Sequence, residues 1–371
     1  MRGFFRACRG ATVLMASTLG AGIFALPYVF ERAGLLVGIF YLLIFSAVVI
    51  YVHVLYWRTL SAVKEKERLL GLTKIYLGKF GYALGFAAVV CGLMLVLVIH
   101  LILGAKFLGL FLPLGWAGGL VFFWLLGTLP LLFKEKRVIW LETLAVVFVV
   151  AIILFIFLSA QPTRSLATLS PINFGNLFLP FGVVLFSLAG WTAIEPLYET
   201  FKAEGRSFER TSLWSIALGT AFVAVLYFIF VLAILASTPV ASPDTISGIS
   251  GWPYLQTALI GILGFFALWV SYLPIALEIK HALVYDLRSQ KKLSLLLVIF
   301  VPILLVIFGL NNFFKVIGLA GGVFLGLEYL LIVLIGKSVL RPAGLENFIL
   351  NLLALVFTAA AVYEIYYFVI G

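Results

Sequence analysis

The sequence is poor in most of what soluble chemistry draws on. Charged residues make up 11% of its 371 positions, against about 25% in a soluble domain. The longest polar interval, about 58–79, is too short to fold as a domain of its own. There are two cysteines, Cys8 and Cys91, far apart and in different apolar surroundings; nothing there suggests a disulfide or a thiolate metal site. The three histidines, His53, His100 and His281, are scattered without metal-ligand spacing. No Gly-x-x-x-x-Gly-Lys-Ser/Thr occurs, which excludes a P-loop and direct drive by ATP. No cluster of acid–base or metal-binding residues gathers near a membrane interface, which counts against an intramembrane enzyme acting on lipid-linked substrates.

What fills the chain instead is apolar: 64% of it is hydrophobic. Eleven runs are long enough to cross a bilayer, at about 17–25 residues or more each. They cover about 7–30, 34–57, 82–108, 116–133, 139–160, 177–201, 212–236, 255–285, 293–310, 313–335 and 345–370. The expectation is an all-α membrane protein of eleven transmembrane helices. The net charge of +10 sits in short clusters between runs rather than in one basic face, so it points to membrane topology and not to nucleic acid. Of the 25 Lys and Arg, only Arg32, Lys106, Arg164 and Lys315 fall on one side of the membrane. The positive-inside rule puts the other twenty-one, and the N-terminus, in the cytoplasm and the C-terminus outside. The first run is too long for a signal peptide and ends in no clean cleavage site, so it reads as a retained span. The intervals 161–176 and 237–253, rich in Pro, Ser, Gly and Thr, read as irregular external caps. The interval 58–79 reads as a short interfacial helix on the anionic leaflet.

The first run contains Ser17-Thr18-Leu19-Gly20-Ala21-Gly22-Ile23-Phe24-Ala25-Leu26-Pro27. Two glycines and a proline weaken a helix interior, and unpaired backbone in lipid is tolerated only where it faces protein or a watery cavity. A helix broken there frees amides at one end and carbonyls at the other, which suits a zwitterion and a cation. The alternative is a Gly-rich packing face for a neighbouring helix. The sixth run repeats the pattern. Ser187 precedes Pro196 by the same nine residues that separate Thr18 from Pro27, and each hydroxyl is followed by Leu and a small pair, Gly20-Ala21 or Ala189-Gly190. Interrupted apolar segments at matching places in two halves point to a transporter binding site. The candidate substrate contacts are therefore Thr18, Leu19, Gly20, Ala21 and Gly22 with Phe186, Ser187, Ala189, Gly190 and Trp191.

Gly20-Ala21-Gly22-Ile23-Phe24-Ala25-Leu26-Pro27-Tyr28 followed by Gly34 resembles the first helix of amino-acid permeases in the amino acid–polyamine–organocation superfamily. The branches it is most similar to are the amino acid/auxin and hydroxy/aromatic amino-acid permeases. Tyr76-Leu77-Gly78-Lys79-Phe80-Gly81, the stretch 268–287 and Gly318-Leu319-Ala320-Gly321-Gly322-Val323-Phe324 extend the resemblance in order over nearly the whole chain. The resemblance implies a LeuT-like fold of two inverted five-helix repeats, residues 1–160 and 161–336, with an extra eleventh helix at 337–371. It implies amides of Ala21 and Gly22 on the substrate carboxylate, carbonyls near Leu19 and Phe186 with the Ser187 hydroxyl on its ammonium, and Trp191 as gate or pocket wall. The function it implies is secondary active transport of a neutral, aromatic or branched, amino acid across the cell membrane. A sensor or passive facilitator on the same fold would use the same helix breaks.

No cofactor is expected beyond a coupling ion, sodium or a proton. Some relatives bind sodium between the first and eighth helices; here Ser271 with carbonyls of Ala16 and Leu19 would supply a poorer version of that site. Others place a lysine in the middle of the fifth helix, and the stretch 146–160 has no charged residue. Intramembrane carboxylates are functional candidates by default, because a central charge costs at least about 2.5–3.5 kcal/mol. That marks Glu195 and Glu328 as ion-coupling candidates. Glu142 reads as structural and Glu364 as exposed at the headgroups. Among the histidines, His100 is the one placed to face a cavity. Phe24 and Phe186 are the phenylalanines close enough to the breaks to wall a pocket, and Trp57 and Trp116 read as interfacial anchors.

Overall fold

The computed structural model describes residues 2–64, 67–133, 138–159, 163–203, 209–249 and 251–370, with side chains for all of these except 2–6, 138–145, 159, 203, 209–210 and 367–370. The charges at Lys66, Lys134, Lys136, Arg137 and Arg206 and the side chains of Arg2, Arg6, Glu142 and Arg210 lie outside the described residues. Every regular element among the described residues is helical.

The first run forms α1 (Arg2–Thr18), a 3-10 turn (Ala21–Ala25) and α2 (Leu26–Ala33), bent by 56° at the break. Next come α3 (Leu35–Ala62) and α4 (Leu69–Gly85), the latter passing through a π-helical turn (Phe86–Gly92) into α5 (Leu93–Leu108). The fourth and fifth runs are α6 (Trp116–Thr128) and α7 (Val138–Ser159). The sixth is α8 (Pro180–Leu188), a 3-10 turn (Trp191–Ala193) and α9 (Ile194–Ala203). Then follow α10 (Glu209–Ser237), α11 (Tyr254–His281), α12 (Lys291–Ile307), α13 (Phe313–Gly318), a π turn (Leu319–Leu325), α14 (Gly326–Leu340) and α15 (Gly344–Ile370). Among the described residues seven spans are long and apolar enough to cross a membrane, or eight if the bent first pair is one. The shorter apolar runs correspond to α6, α7 and α12.

The sequence pattern explains the layering. α5 is buried on nearly every side, as expected of a helix apolar all round, and it stands at the centre against α6, α11 and α12. α1 lies along α10, and α15 sits outermost on α14 and the 319–325 turn. Helices in lipid associate mainly through close packing, for which small residues make room. A Cβ at Gly38, Gly104 or Gly264 would run into the ring of Phe30, Phe123 or Phe107 respectively. Gly34, at φ 102°, turns the chain from α2 into α3 where a side chain would strike Pro171 and Ile172.

Three expectations are corrected. Gly78 (φ 70°) kinks α4, and the part before it does not lie on the leaflet: Leu69, Leu70, Leu72 and Thr73 are buried, packed under the end of α14. Trp57 is no interfacial anchor, because it is buried against Tyr198 and Phe201; Trp116 is exposed. Glu364 is buried rather than at the headgroups, because Gly182 and Gly322 leave space that its side chain fills. The intervals 163–176 and 237–249 hold only short 3-10 turns, as their composition indicated.

Candidate functional site

The break in the first run begins where α1 closes with Leu19 N–H donating to Met15 O (2.8 Å) and the Thr18 hydroxyl donating to Leu14 O (2.8 Å). Gly20 is extended, and the chain re-enters helical geometry at Ala21. Ala21 and Gly22 are thus leading residues of a helical turn, where amides lack intrahelical acceptors and the helix dipole is positive. In the sixth run α8 ends at Leu188, Ala189 is extended and the next turn starts at Trp191.

The two breaks cross with reciprocal fits. A Cβ at Gly22 would collide with Ser187, including its backbone Cα; a Cβ at Gly190 would collide with the Thr18 hydroxyl. The hydroxyl of each run therefore seats on the glycine of the other. Ser17 Oγ and Thr192 Oγ1 add a direct bond of 2.8 Å between α1 and the 191–193 turn.

Around this crossing lies a cavity of about 40 Å³, room for about three waters at 10–15 Å³ each. Its polar lining is Ser17, Thr18, His100, Thr192 and Ser271 with the backbone of 20–22 and 189–190; Leu93, Val96, Phe186, Trp191, Ile275 and Leu325 make the apolar part. Of the sequence candidates, Thr18, Gly20, Ala21, Gly22, Phe186, Ala189, Gly190, Trp191 and Ser271 line it together. Leu19, Ser187 and Ala16 do not. Leu19 and Ala16 are buried beside it, and the Ser187 hydroxyl donates to Val183 O (2.7 Å) behind Gly22. Phe24 is also outside the lining, packed on Phe107 and Phe230.

Glu328 and Glu195 stand one layer away from the cavity. Glu328 accepts from the Trp191 indole N–H (2.5 Å), while its other oxygen has no hydrogen-bond partner among the described residues. Glu195 belongs to a buried network at the Lys/Arg-rich end. It accepts from the Tyr56 hydroxyl and from Leu69 N–H (3.1 Å), and Arg68 lies 3.2 Å from Glu195 and 2.5 Å from Glu278. Burial works against the Arg68 charge, but the Glu278 and Glu195 carboxylates outweigh it and hold the guanidinium pKa above its ordinary value. Arg68 so joins α9 to α11 through the segment between α3 and α4. Trp191, edge-on to Tyr56, stands between this network and the cavity. At the opposite end the 237–249 interval folds down. Lys106 pairs with Asp244 (2.7 Å), Arg164 pairs with Glu31, Ala241 N–H donates to Glu31 (2.7 Å) and the Thr245 hydroxyl donates to Phe24 O (2.6 Å).

The sequence reading missed Thr192, Tyr56, Arg68 and Glu278. Glu278 carried a visible signal, an acidic residue inside the eighth apolar run. Arg68 carried none that separates it from its neighbours in a basic loop.

Comparison with known proteins agrees with this geometry. The profile of the family described as "Transmembrane amino acid transporter protein" matches residues 6–233, and the chain belongs to that family. The fold is that of LeuT-type transporters. A manganese transporter of Eremococcus coleocola (H236A mutant) is similar at 14% identity and a TM-score of 0.61, over 97% of this chain and 93% of that one. MhsT in complex with L-phenylalanine is similar at 16% identity and 0.61, over 95% and 98%. Mhp1, described as a nucleobase-cation-symport-1 family transporter, is similar at 14% identity and 0.66, over 96% and 91%. No curated protein matches the sequence. The chain is a multi-pass membrane protein and a transporter rather than an enzyme.

Proposed function

We propose that the chain is a symporter that accumulates a neutral amino acid together with a cation, by alternating access. The observation that carries this reading is the crossing of two broken helices over a cavity whose lining, among the described residues, holds no carboxylate, lysine or arginine. The substrate carboxylate meets the amides of Ala21 and Gly22, and its ammonium meets the carbonyl ends of α1 and α8. Backbone dipoles fixed in this way bind a zwitterion without burying a counter-charge. Leu93, Val96, Phe186, Ile275 and Leu325 offer an aromatic or branched side chain an apolar wall. At about 40 Å³ the cavity is contracted, so loading such a side chain moves Phe186 or Trp191 outward. MhsT, seen with L-phenylalanine, supports the substrate class by likeness of fold.

Residues 1–160 and 161–336 form the two repeats in this reading, which the reciprocal glycine–hydroxyl fits support, and 337–371 is appended. The protein sits in the cell membrane with its N-terminus and basic end in the cytoplasm and its C-terminus outside. A cation moving with the substrate contributes about 2.3 kcal/mol per 100 mV, which is more than tenfold accumulation. The test is uptake of pooled labelled neutral amino acids into proteoliposomes under an inward sodium gradient, an inward proton gradient, or neither. Accumulation under one gradient is expected. Equilibration without accumulation would make the protein a facilitator, and no uptake by folded protein would make it a sensor.

A further inference from the structure

His100 lies on α5 at the cavity, fully enclosed, with both ring nitrogens engaged. Nδ1 is 2.7 Å from Val96 O; a carbonyl only accepts, so Nδ1 carries hydrogen. The neutral ring therefore presents the Nε2 lone pair to the Ser271 hydroxyl, 2.8 Å away. Ser271 Oγ also lies 3.0 Å from Ala267 O and 3.3 Å from Leu268 O. If Nε2 takes up a proton it donates to Ser271 Oγ, and the hydroxyl turns its own hydrogen to Ala267 O. Both charge states are satisfied by rotating one O–H. The pair touches the break directly, since a Cβ at Gly20 would press on Ser271 Oγ and lie 3.6 Å from His100 Nε2.

We infer that His100 is the coupling residue and the proton the coupling ion, bound at Nε2 with Ser271 as its switchable partner; this rests on the transport reading above. Once Nε2 carries the proton its N–H points at the Ser271 oxygen, so a sodium ion on that oxygen would compete with the proton. Two further titratable groups stand near the cavity. Tyr272 of α11 faces the ring edge-on at 6.3 Å, and Glu328 of α14 lies beyond the Trp191 indole. The first-run break and the 191–193 turn contribute hydroxyls and backbone but no charge to the cavity. From α6 come Phe123 and Gly127, each against Tyr272. Lys291 and Lys292 of α12, Lys315 of α13 and Cys91 of the 86–92 turn are exposed. A carboxylate on the amides of Ala21 and Gly22 favours the imidazolium nearby, so proton and substrate tighten each other's binding reciprocally. The proton enters from water on the side to which the cavity opens and leaves to water on the other.

The test uses the full chain in proteoliposomes, with leucine and phenylalanine as probes. Wild type is expected to accumulate them on an inward proton gradient and not on sodium, with uptake falling several-fold between pH 5.5 and pH 8. His100→Gln is expected to lose proton-driven accumulation and the pH dependence of substrate binding followed by calorimetry. Ser271→Ala retains the imidazole and its Val96 bond; it is expected to move the pH of half-maximal uptake down by about one unit, a change that loss of folding would not mimic. Accumulation on sodium alone, or proton-driven accumulation that survives in His100→Gln, or an unmoved pH profile in Ser271→Ala, would overturn the inference while leaving the transporter intact. Absence of uptake by wild type would instead remove the symport reading beneath it.

Discussion

At Gly22 and Gly190 the same substitution meets two different obstacles. A methyl at Gly22 runs into the Ser187 backbone, which has nowhere to go without moving α8; at Gly190 it meets the Thr18 hydroxyl, the end of a side chain. Overpacking costs about 1–3 kcal/mol where neighbours cannot yield. Gly22→Ala is therefore expected to lower the melting temperature and abolish uptake, with Gly190→Ala milder and improved by adding Thr18→Ala. Equal losses in the two single variants, with no recovery in the double, would show that the crossing is not what limits them. The glycines and hydroxyls were legible in the sequence through their spacing from Pro27 and Pro196. Which glycine receives which hydroxyl was not, because it depends on how two helices far apart in the chain cross. The same limit hid the His100–Ser271 pair: each residue was visible as a candidate, but only packing of α5 against α11 joins them.

At the scale of elements, the alternating-access reading has α1 with α9 part from α5 with α11 when the cavity opens at the basic end. The Arg68 network bridges those groups, and both carboxylates it pairs with are buried. Removing one partner of a buried ion pair costs about 3–5 kcal/mol, since the charges left behind lose their compensation. Arg68→Ala is expected to destabilise the state closed at that end. Cys8, half-buried on α1, should then react several-fold faster with maleimide in a Cys91→Ala background; an unchanged rate would mean that Arg68 is not a latch. The helices themselves were legible from run length and hydropathy. The fate of the 58–79 interval was not, because a leucine-rich amphipathic segment reads alike whether it lies on lipid or beneath α14.

For the whole molecule, α15 is the least buried of the membrane-length spans among the described residues; it inserts Leu350, Phe357 and, between Gly182 and Gly322, Glu364. Gly322→Ala would drive its methyl into the Glu364 side chain and is expected to loosen α15, lowering the melting temperature while leaving the breaks untouched. A variant that melts like wild type would mean α15 adapts freely. The eleventh run was clear in the sequence, but the inward position of Glu364 was not, because nothing in its own run distinguishes a lipid-facing carboxylate from one seated on glycines two helices away.

The closures at the two ends differ in their access to solvent. Arg68 and its carboxylates are 15% and 4% exposed, while Lys106 is 36% and Arg164 23% exposed. Mobile ions screen exposed pairs far more than buried ones, within a Debye length of about 8 Å at physiological ionic strength. Adding any salt on the side of the Asp244 and Glu31 pairs should then loosen that closure alone and tilt the protein toward facing it. Sodium, potassium and choline chloride would then raise uptake alike, a stimulation by salt with no ion bound at the site.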